Sequence, residues 1–191
     1  MYKYSVFTGF PYEETNNIRY DSIGTNNLNI VYESGRRLGK HNYSTNFEQN
    51  EDLLRNTLLQ TSPLHLNLNT FTCWLWFESD VILNDCVLLG RGTLYNPIWS
   101  IKVIAGCIAF ETGDGSGLSH SIIGNEITQG EHFVCISYNN TTKEKTLFFD
   151  GISTNGLSSV SLPTTLTGIA YGSYVDGALP FNGWIDSSTK I

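Results

Sequence analysis

Phe71-Thr-Cys-Trp-Leu-Trp-Phe-Glu78 separates by parity into two faces. Phe71, Cys73, Leu75 and Phe77 fall on one, and Thr72, Trp74, Trp76 and Glu78 on the other, the period of two that an extended strand imposes. Both faces are large and mostly apolar. Such a strand belongs at the centre of a sheet, with one side against an opposing sheet and the other beneath loops or along a groove.

The same alternation recurs in both directions from this stretch. Strands are expected at Leu28 to Tyr32, Ser44 to Glu48, Asp85 to Gly90, Ile98 to Ile104, Cys107 to Glu111, His132 to Tyr138, Lys143 to Asp150, Leu166 to Gly172 and Phe181 to Ile185. Between them lie Gly113-Asp-Gly-Ser-Gly117, Asn139-Asn-Thr-Thr142 and Asp150-Gly151, whose residues accept the positive φ of tight turns. The last two flank Lys143-Glu-Lys-Thr-Leu-Phe-Phe149, which therefore belongs to a meander of hairpins. Helical spacing is confined to Asn50 to Gln60, read as one helical turn followed by a strand. No repeat, low-complexity tract or Pro-rich linker divides the 191 residues, so residues 1–191 read as one domain. The expectation is an all-β, two-sheet antiparallel sandwich with Phe71, Leu75, Phe133, Leu147 and Phe149 buried.

Composition narrows the function classes. Hydrophobic residues make up 40% and charged residues 15%, enough for a core and too little charge for a solvated, disordered chain. Eleven basic residues against a net charge of -7 argue against nucleic acid, which is bound through clustered Lys and Arg. The densest basic spot, Arg36-Arg37 with Lys40, reads as an exposed loop. No segment approaches the roughly 20 apolar residues of a membrane span. The N-terminus carries no apolar run of signal-peptide length, so the expectation is synthesis in a cytoplasm, with retention there or release by lysis. Cys73, Cys86, Cys107 and Cys135 sit in apolar runs without CxxC spacing, the pattern of buried reduced thiols rather than a zinc site.

The order of segments resembles a laminin G-like domain of the concanavalin A-like jelly-roll group. Tyr12-Glu-Glu14 followed by Asp21-Ser-Ile-Gly-Thr-Asn-Asn-Leu28 resembles that family's opening acidic stretch and turn, and Gly39 through Phe47 its G-x-x-G-x-A-x-x-F segment. Phe71 to Phe77 is similar to its F-T-I-S-A-W-V strand, with Trp76 on the tryptophan. Gly130-Glu-His-Phe-Val-Cys-Ile-Ser-Tyr138 through Phe148-Phe-Asp-Gly151 resembles the G-x-W-H-x-V-x-Y and x-L-Y-V-D-G hairpin. Phe181-Asn-Gly-Trp-Ile-Asp186 is similar to the closing strand. Two departures stand out: Ser187-Ser-Thr-Lys-Ile191 follows where the family has Glu-Val-Arg, and Glu131 occupies the position of its second tryptophan. The resemblance implies a jelly-roll fold and one structural calcium ion held by Glu13, Asp21, Asn26 and Asp186, residue types suited to a hard oxygen-seeking cation.

Glycosidases of this wider group need two carboxylates about 5 to 9 Å apart on one strand face. Glu111 and Asp114 come nearest, but the surrounding glycines put Asp114 in a turn, and a non-catalytic protein is expected. Sugar binding requires an exposed ring to stack on a pyranose face and nearby groups to bond its hydroxyls. Tyr95, Trp99, Tyr171, Tyr174 and Trp184 are the candidate rings, with Asn96, Asp114, Asn125 and Asp176 as loop polar groups. Trp99 and Trp184 lie in strand runs and read as core. Tyr174, in a Gly-rich loop, reads as the leading ring, with Asp176, Asp114, Asn96 and Tyr95 completing the carbohydrate-binding set.

These readings give a lectin-like module for cell-surface glycans. The absence of a leader and a composition rich in Asn, Tyr, Thr and Ile but poor in Ala place it in a bacteriophage virion, as a capsid decoration or tail protein. A purely structural virion protein contacting other virion proteins is the alternative, and a glycoside hydrolase the third reading.

Overall fold

A computed structural model describes residues 70–79, 84–163 and 168–186 in full, together with the buried Phe47 and the backbone of short strands before residue 57 and at 188–189. The first of these strands are β1 (Phe7–Thr8), β2 (Glu14–Thr15), β3 (Ile18–Arg19), β4 (Leu28–Val31), β5 (Arg36–Gly39), β6 (Asn42–Phe47) and β7 (Leu53–Asn56). The central set is β8 (Thr70–Ser79), β9 (Cys86–Gly92), β10 (Pro97–Ile104), β11 (Cys107–Gly113), β12 (Ser119–Glu126), β13 (Gly130–Asn139), β14 (Glu144–Phe149) and β15 (Ile152–Leu157). The chain closes with β16 (Ile169–Tyr171), β17 (Gly183–Asp186) and β18 (Ser188–Thr189).

The pairings make an all-β, two-sheet antiparallel jelly-roll sandwich. One sheet runs β12-β11-β10-β9-β16-β7-β4-β3-β2 and the other β15-β14-β13-β8-β17-β6-β5, with β1 and β18 pairing separately. In both sheets a late strand is the bridge: β16 joins β9 to β7, and β17 joins β8 to β6. No helix occurs among the described residues.

Strand β8 shows the parity of its sequence as alternating burial, with Phe71, Cys73, Leu75 and Phe77 in the core and Trp74 and Trp76 half-exposed on the outer face. Phe71 gathers Trp99, Tyr138 and Phe110 at centroid distances of 5.2, 6.0 and 6.4 Å, so rings from both sheets interlock. Offset or tilted aromatic contacts of this kind add about 0.5–1.5 kcal/mol each beyond the area that they bury. Leu75, Leu147 and Phe149 join the same core. Phe133 does not: in β13 the inward residues are Val134, Ile136 and Tyr138, which turns Phe133 outward against Trp76 at 5.0 Å.

One charged side chain crosses the sandwich. Lys145 on β14 is 1% exposed; its Nζ donates to the carbonyl of His120 at 2.6 Å, to Thr112 Oγ1 at 3.1 Å and to the Phe110 carbonyl at 3.4 Å. It also lies 5.4 Å from the centre of the Phe110 ring. Its acceptors are all uncharged.

Other expectations shift at the edges. Arg36 and Arg37 belong to strand β5 rather than a loop, because their backbone pairs with Thr45 and Ser44. Within Asn50–Gln60 the described segment, Leu53–Asn56, is strand between β4 and β16; the helical turn expected ahead of it lies outside the described residues. Asp150 and Gly151, at φ 44° and 91°, form the two-residue turn between β14 and β15. None of the four cysteines forms a disulfide; Cys73 and Cys86 are buried, whereas Cys107 and Cys135 are partly exposed.

Candidate functional site

Three loops meet at one end of the first sheet. The first, Thr93 to Asn96, closes the β9–β10 hairpin, its ends bonded by Thr93 N–H to Asn96 O and Asn96 N–H to Thr93 O, both 3.2 Å. The second, Asp114 to Leu118, joins β11 to β12. Asp114 Oδ1 accepts the N–H groups of Ser116 (2.8 Å) and Leu118 (3.1 Å), the local turn that Asp favours, and these bonds hold its carboxyl below the usual range. The third, Gly172 to Pro180, follows β16. There Asp176 Oδ1 accepts Ala178 N–H at 3.3 Å, and Gly177 N–H donates to Tyr174 O at 2.9 Å.

Long-range bonds tie the loops together. Gly115 N–H donates to Pro97 O at 3.0 Å, Leu94 N–H to Asp176 Oδ2 at 3.4 Å and Val175 N–H to Gly92 O at 3.2 Å. Tyr95, Asn96, Asp114 and Asp176, far apart in sequence, thus share one rim. Tyr95 is 79% exposed and Leu118 67%, an apolar surface flanked by two carboxylates and an amide. Loops held on a rigid sheet rim are where binding groups concentrate.

Tyr174 does not present its ring to solvent. It is 1% exposed: the third loop crosses the outer face of the first sheet, and the ring lies over Gly90. A Cβ at Gly90 would stand 3.2 Å from Tyr174 Cδ1, so a larger residue there would crowd the ring. The phenol donates to Glu111 and lies 3.2 Å from Ser100 Oγ. Glu111 also accepts Lys102 Nζ at 2.7 Å and Ser100 Oγ at 3.1 Å. Burial pushes the Glu111 carboxyl up, but the bonds and charge of Lys102 and the Tyr174 phenol outweigh it, and the net shift is downward. Burial and the adjacent carboxylate push the Tyr174 phenol up. Glu111 is therefore a held anion, opposite in character to a general acid, and Asp114 lies in the neighbouring turn. Tyr174 anchors the loop that carries Asp176 instead of stacking on a ligand. The glycines around Tyr174 signal a surface loop in the sequence, but the slot beneath the ring is made by Gly90 on another strand.

The remaining candidate rings divide. Trp99 and Tyr171 are buried, Trp184 is half-buried, and Asn125 is exposed on β12, an edge strand of the first sheet, outside the three rim loops. Of the calcium set, Glu13, Asp21 and Asn26 lie outside the fully described residues. Asp186 is buried at the end of β17, and no group of three or more His, Cys, Asp or Glu suited to a metal occurs among the described residues.

No family model and no curated protein matches the chain. Solved structures do. The binding domain of Paraclostridial Mosquitocidal Protein 1 aligns at TM-score 0.67 and 15% identity over 97% of this chain and 48% of its own. A structure of botulinum neurotoxin type C, whose cell entry is described as dependent upon interaction with two ganglioside molecules, aligns at 0.65 and 13% over 97% and 47%. The binding domain of Botulinum Neurotoxin DC in complex with SialylT aligns at 0.67 and 12%, again over 97% and 47%. The chain spans about half the length of these domains. At such identities the likeness is one of fold: the jelly-roll sandwich implied by the laminin G-like order of segments is present, and it is shared with toxin binding domains.

Proposed function

We propose that this protein is a non-catalytic carbohydrate-binding module that docks a surface glycan on the rim built by residues 93–96, 114–118 and 175–178. The observation that carries the reading is the Tyr95 ring, standing free among Asn96, Asp114 and Asp176 on loops cross-bonded to one another. A ring of that exposure offers a stacking face, and the adjacent carboxylates and amide supply acceptors and donors for hydroxyls. The solved structures that name a ganglioside or a sialyl glycan as ligand support carbohydrate as the ligand class. The test is a glycan array with the wild type and Tyr95→Ala. Loss of the stacking ring should cost about 1–3 kcal/mol, a drop of roughly ten- to a hundredfold in affinity. A folded wild-type protein that binds no glycan, or a Tyr95→Ala protein that binds as well as wild type, would refute this placement.

The Asn-rich, Ala-poor composition favours a setting for the module: a bacteriophage virion, where the rim would meet host glycans or, in the structural alternative, another virion protein. Finding the chain in purified particles that attach to no glycan would support the structural alternative over the lectin.

A further inference from the structure

The second sheet ends at β15, which pairs with β14 on one side and with no described strand on the other. Ile152 to Leu157 face Phe149 to Glu144 without a register shift, so the outer edge runs straight. The phase of this ladder fixes which main-chain groups the edge presents. Phe149 and Ile152 flank the two-residue turn as a bonded pair, and at the far end Ser158 N–H donates to Lys143 O at 2.8 Å. The even-numbered residues of β15 therefore bond inward to β14, and Ser153, Asn155 and Leu157 turn their N–H and C=O groups away from it. All of these are exposed, Leu157 at 64%.

Sheet ends are ordinarily guarded by charge, proline or irregularity, because an open edge invites another strand. Of the strands that end the two large sheets, β2 carries Glu14, β5 carries Arg36 and Arg37, and β12 carries Glu126 and shifts register against β11 near Cys107. β15 has no charged residue, no proline and no shift. The charges flanking it are engaged within the chain. Asp150 holds His132 Nδ1 at 2.6 Å and Phe133 N–H at 2.8 Å, Lys143 Nζ donates to Asn140 Oδ1 at 3.1 Å and Ser161 Oγ at 2.6 Å, and Glu144 accepts Thr142 Oγ1 at 2.9 Å.

The edge is complementary to itself. A two-fold axis normal to the sheet beside Asn155 sets Ser153 opposite Leu157 of a second copy, Asn155 opposite Asn155, and Leu157 opposite Ser153. Each pair exchanges two main-chain bonds, about six in all. Sliding the strands by two residues either way puts one end against Gly151 or Ser159, outside β15, so the register centred on Asn155 pairs the free groups completely. Asn155 also ends the polar cross-strand row of Ser137, Thr146 and Asn155, and its side chain would stand against its twin as an uncharged pair. With a net charge of -7 on each chain, two copies can approach closely only along such a neutral stretch. We propose that β15 is a self-association edge, at which two copies of this chain pair antiparallel into one continuous sheet across a two-fold dimer. The edge shares no residue with the rim loops and does not rest on glycan binding.

Sedimentation velocity tests the pairing, under reductant so that the partly exposed Cys107 and Cys135 cannot cross-link copies. An interface of one strand is small, so wild type should pass from monomer toward dimer between about 10 μM and about 1 mM. Asn155→Lys and Asn155→Asp each set like charges across the axis on Cα atoms about 5.5 Å apart, and each alone should weaken the dimer at least about tenfold. An equimolar mixture of the two should restore it to within about threefold of wild type, a rescue that damage to the fold cannot give. Ser153→Pro removes an outward N–H that the ladder to β14 does not use and should leave a folded monomer; the charge-swapped pair decides the matter even where that variant does not fold. Wild type that stays monomeric at about 1 mM overturns the proposal. So do dimers indifferent to the Asn155 substitutions, a mixture no better than its components, or growth past the dimer into open chains, the mark of a head-to-tail contact such as β15 on β12.

Discussion

Lys145 gives the sharpest energetic test of the sandwich. Its ammonium sits between the sheets among neutral acceptors, and burial lowers its pKa from 10.5 to about 8, with the charge of Glu111 only partly restoring it. Between about pH 8 and 10.5 the unfolded chain still holds this proton and the folded chain has released it. The unfolded state then binds more protons, so this group makes stability rise with pH across that window. The full gap corresponds to at most about 3 kcal/mol, approached at no more than about 1.4 kcal/mol per pH unit. Other groups act in the opposite sense: burial, with Asp85 beside it, pushes the Cys86 thiol up to about 12, and the Cys135 thiol and the Tyr174 phenol are also raised. These favour the folded state below pH 9 to 10 and lose that contribution above it. The quantity to measure is therefore the difference between wild type and Lys145→Met, in which shared groups cancel. Urea unfolding followed by tryptophan fluorescence, under reductant and from about pH 7 to 10.5, should give a difference that is flat below about pH 8 and then climbs in favour of wild type by about 1–3 kcal/mol. A difference that stays flat or falls across the window would refute the account of a buried lysine that gives up its proton more readily in the folded chain than in the unfolded one.

Two further perturbations separate structural from binding roles. Tyr174→Phe keeps the ring over Gly90 but removes a donor to the buried Glu111 carboxylate, and denaturant unfolding should show a loss of about 1.5–3 kcal/mol with glycan binding by the folded protein unchanged. Unchanged stability with lost binding would return Tyr174 to the ligand. Thiol titration of the native protein should modify Cys107 and Cys135 well before the buried Cys73 and Cys86, and all four should react in denaturant under non-reducing conditions; an early reaction at Cys86 would contradict its burial.

Legibility in the sequence followed burial. The central strands β8, β10, β13 and β14 have one face in the core, and the alternation that burial demands is visible in their residues. Ser119–Glu126 and Ile152–Leu157 are not legible as strands in the sequence because each lies at a sheet edge, where few positions must be apolar: Ile122 is the one buried residue of the first, and the second has none. Phe133 reads as core from its hydrophobicity, but register outranks hydrophobicity, and its odd parity in β13 puts it beside Trp76. At the rim, Asp114 was readable as a turn former from Gly113-Asp-Gly alone. Its proximity to Asp176 and Tyr95 was not, since that depends on backbone bonds between loops separated by whole strands. The polar row Ser137, Thr146 and Asn155 carried no local signal at all, since it exists only across three paired strands.

The two late strands that bridge the sheets also set the order in which a growing chain can complete itself. Residues 70–157 already hold contiguous halves of both sheets, β9 to β12 facing β8 with β13 to β15, and can pair as soon as they are synthesised. The strands made first, β4 and β7 in one sheet and β5 and β6 in the other, have no neighbour in that middle block. They must wait, pairing at most with each other, until Ile169–Tyr171 and Gly183–Asp186 arrive to stitch them on. Contacts of such sequence separation put folding in the slow range of milliseconds to seconds or beyond. The segment from Ile169 to Asp186 thus decides whether β4 to β7 acquire their partners.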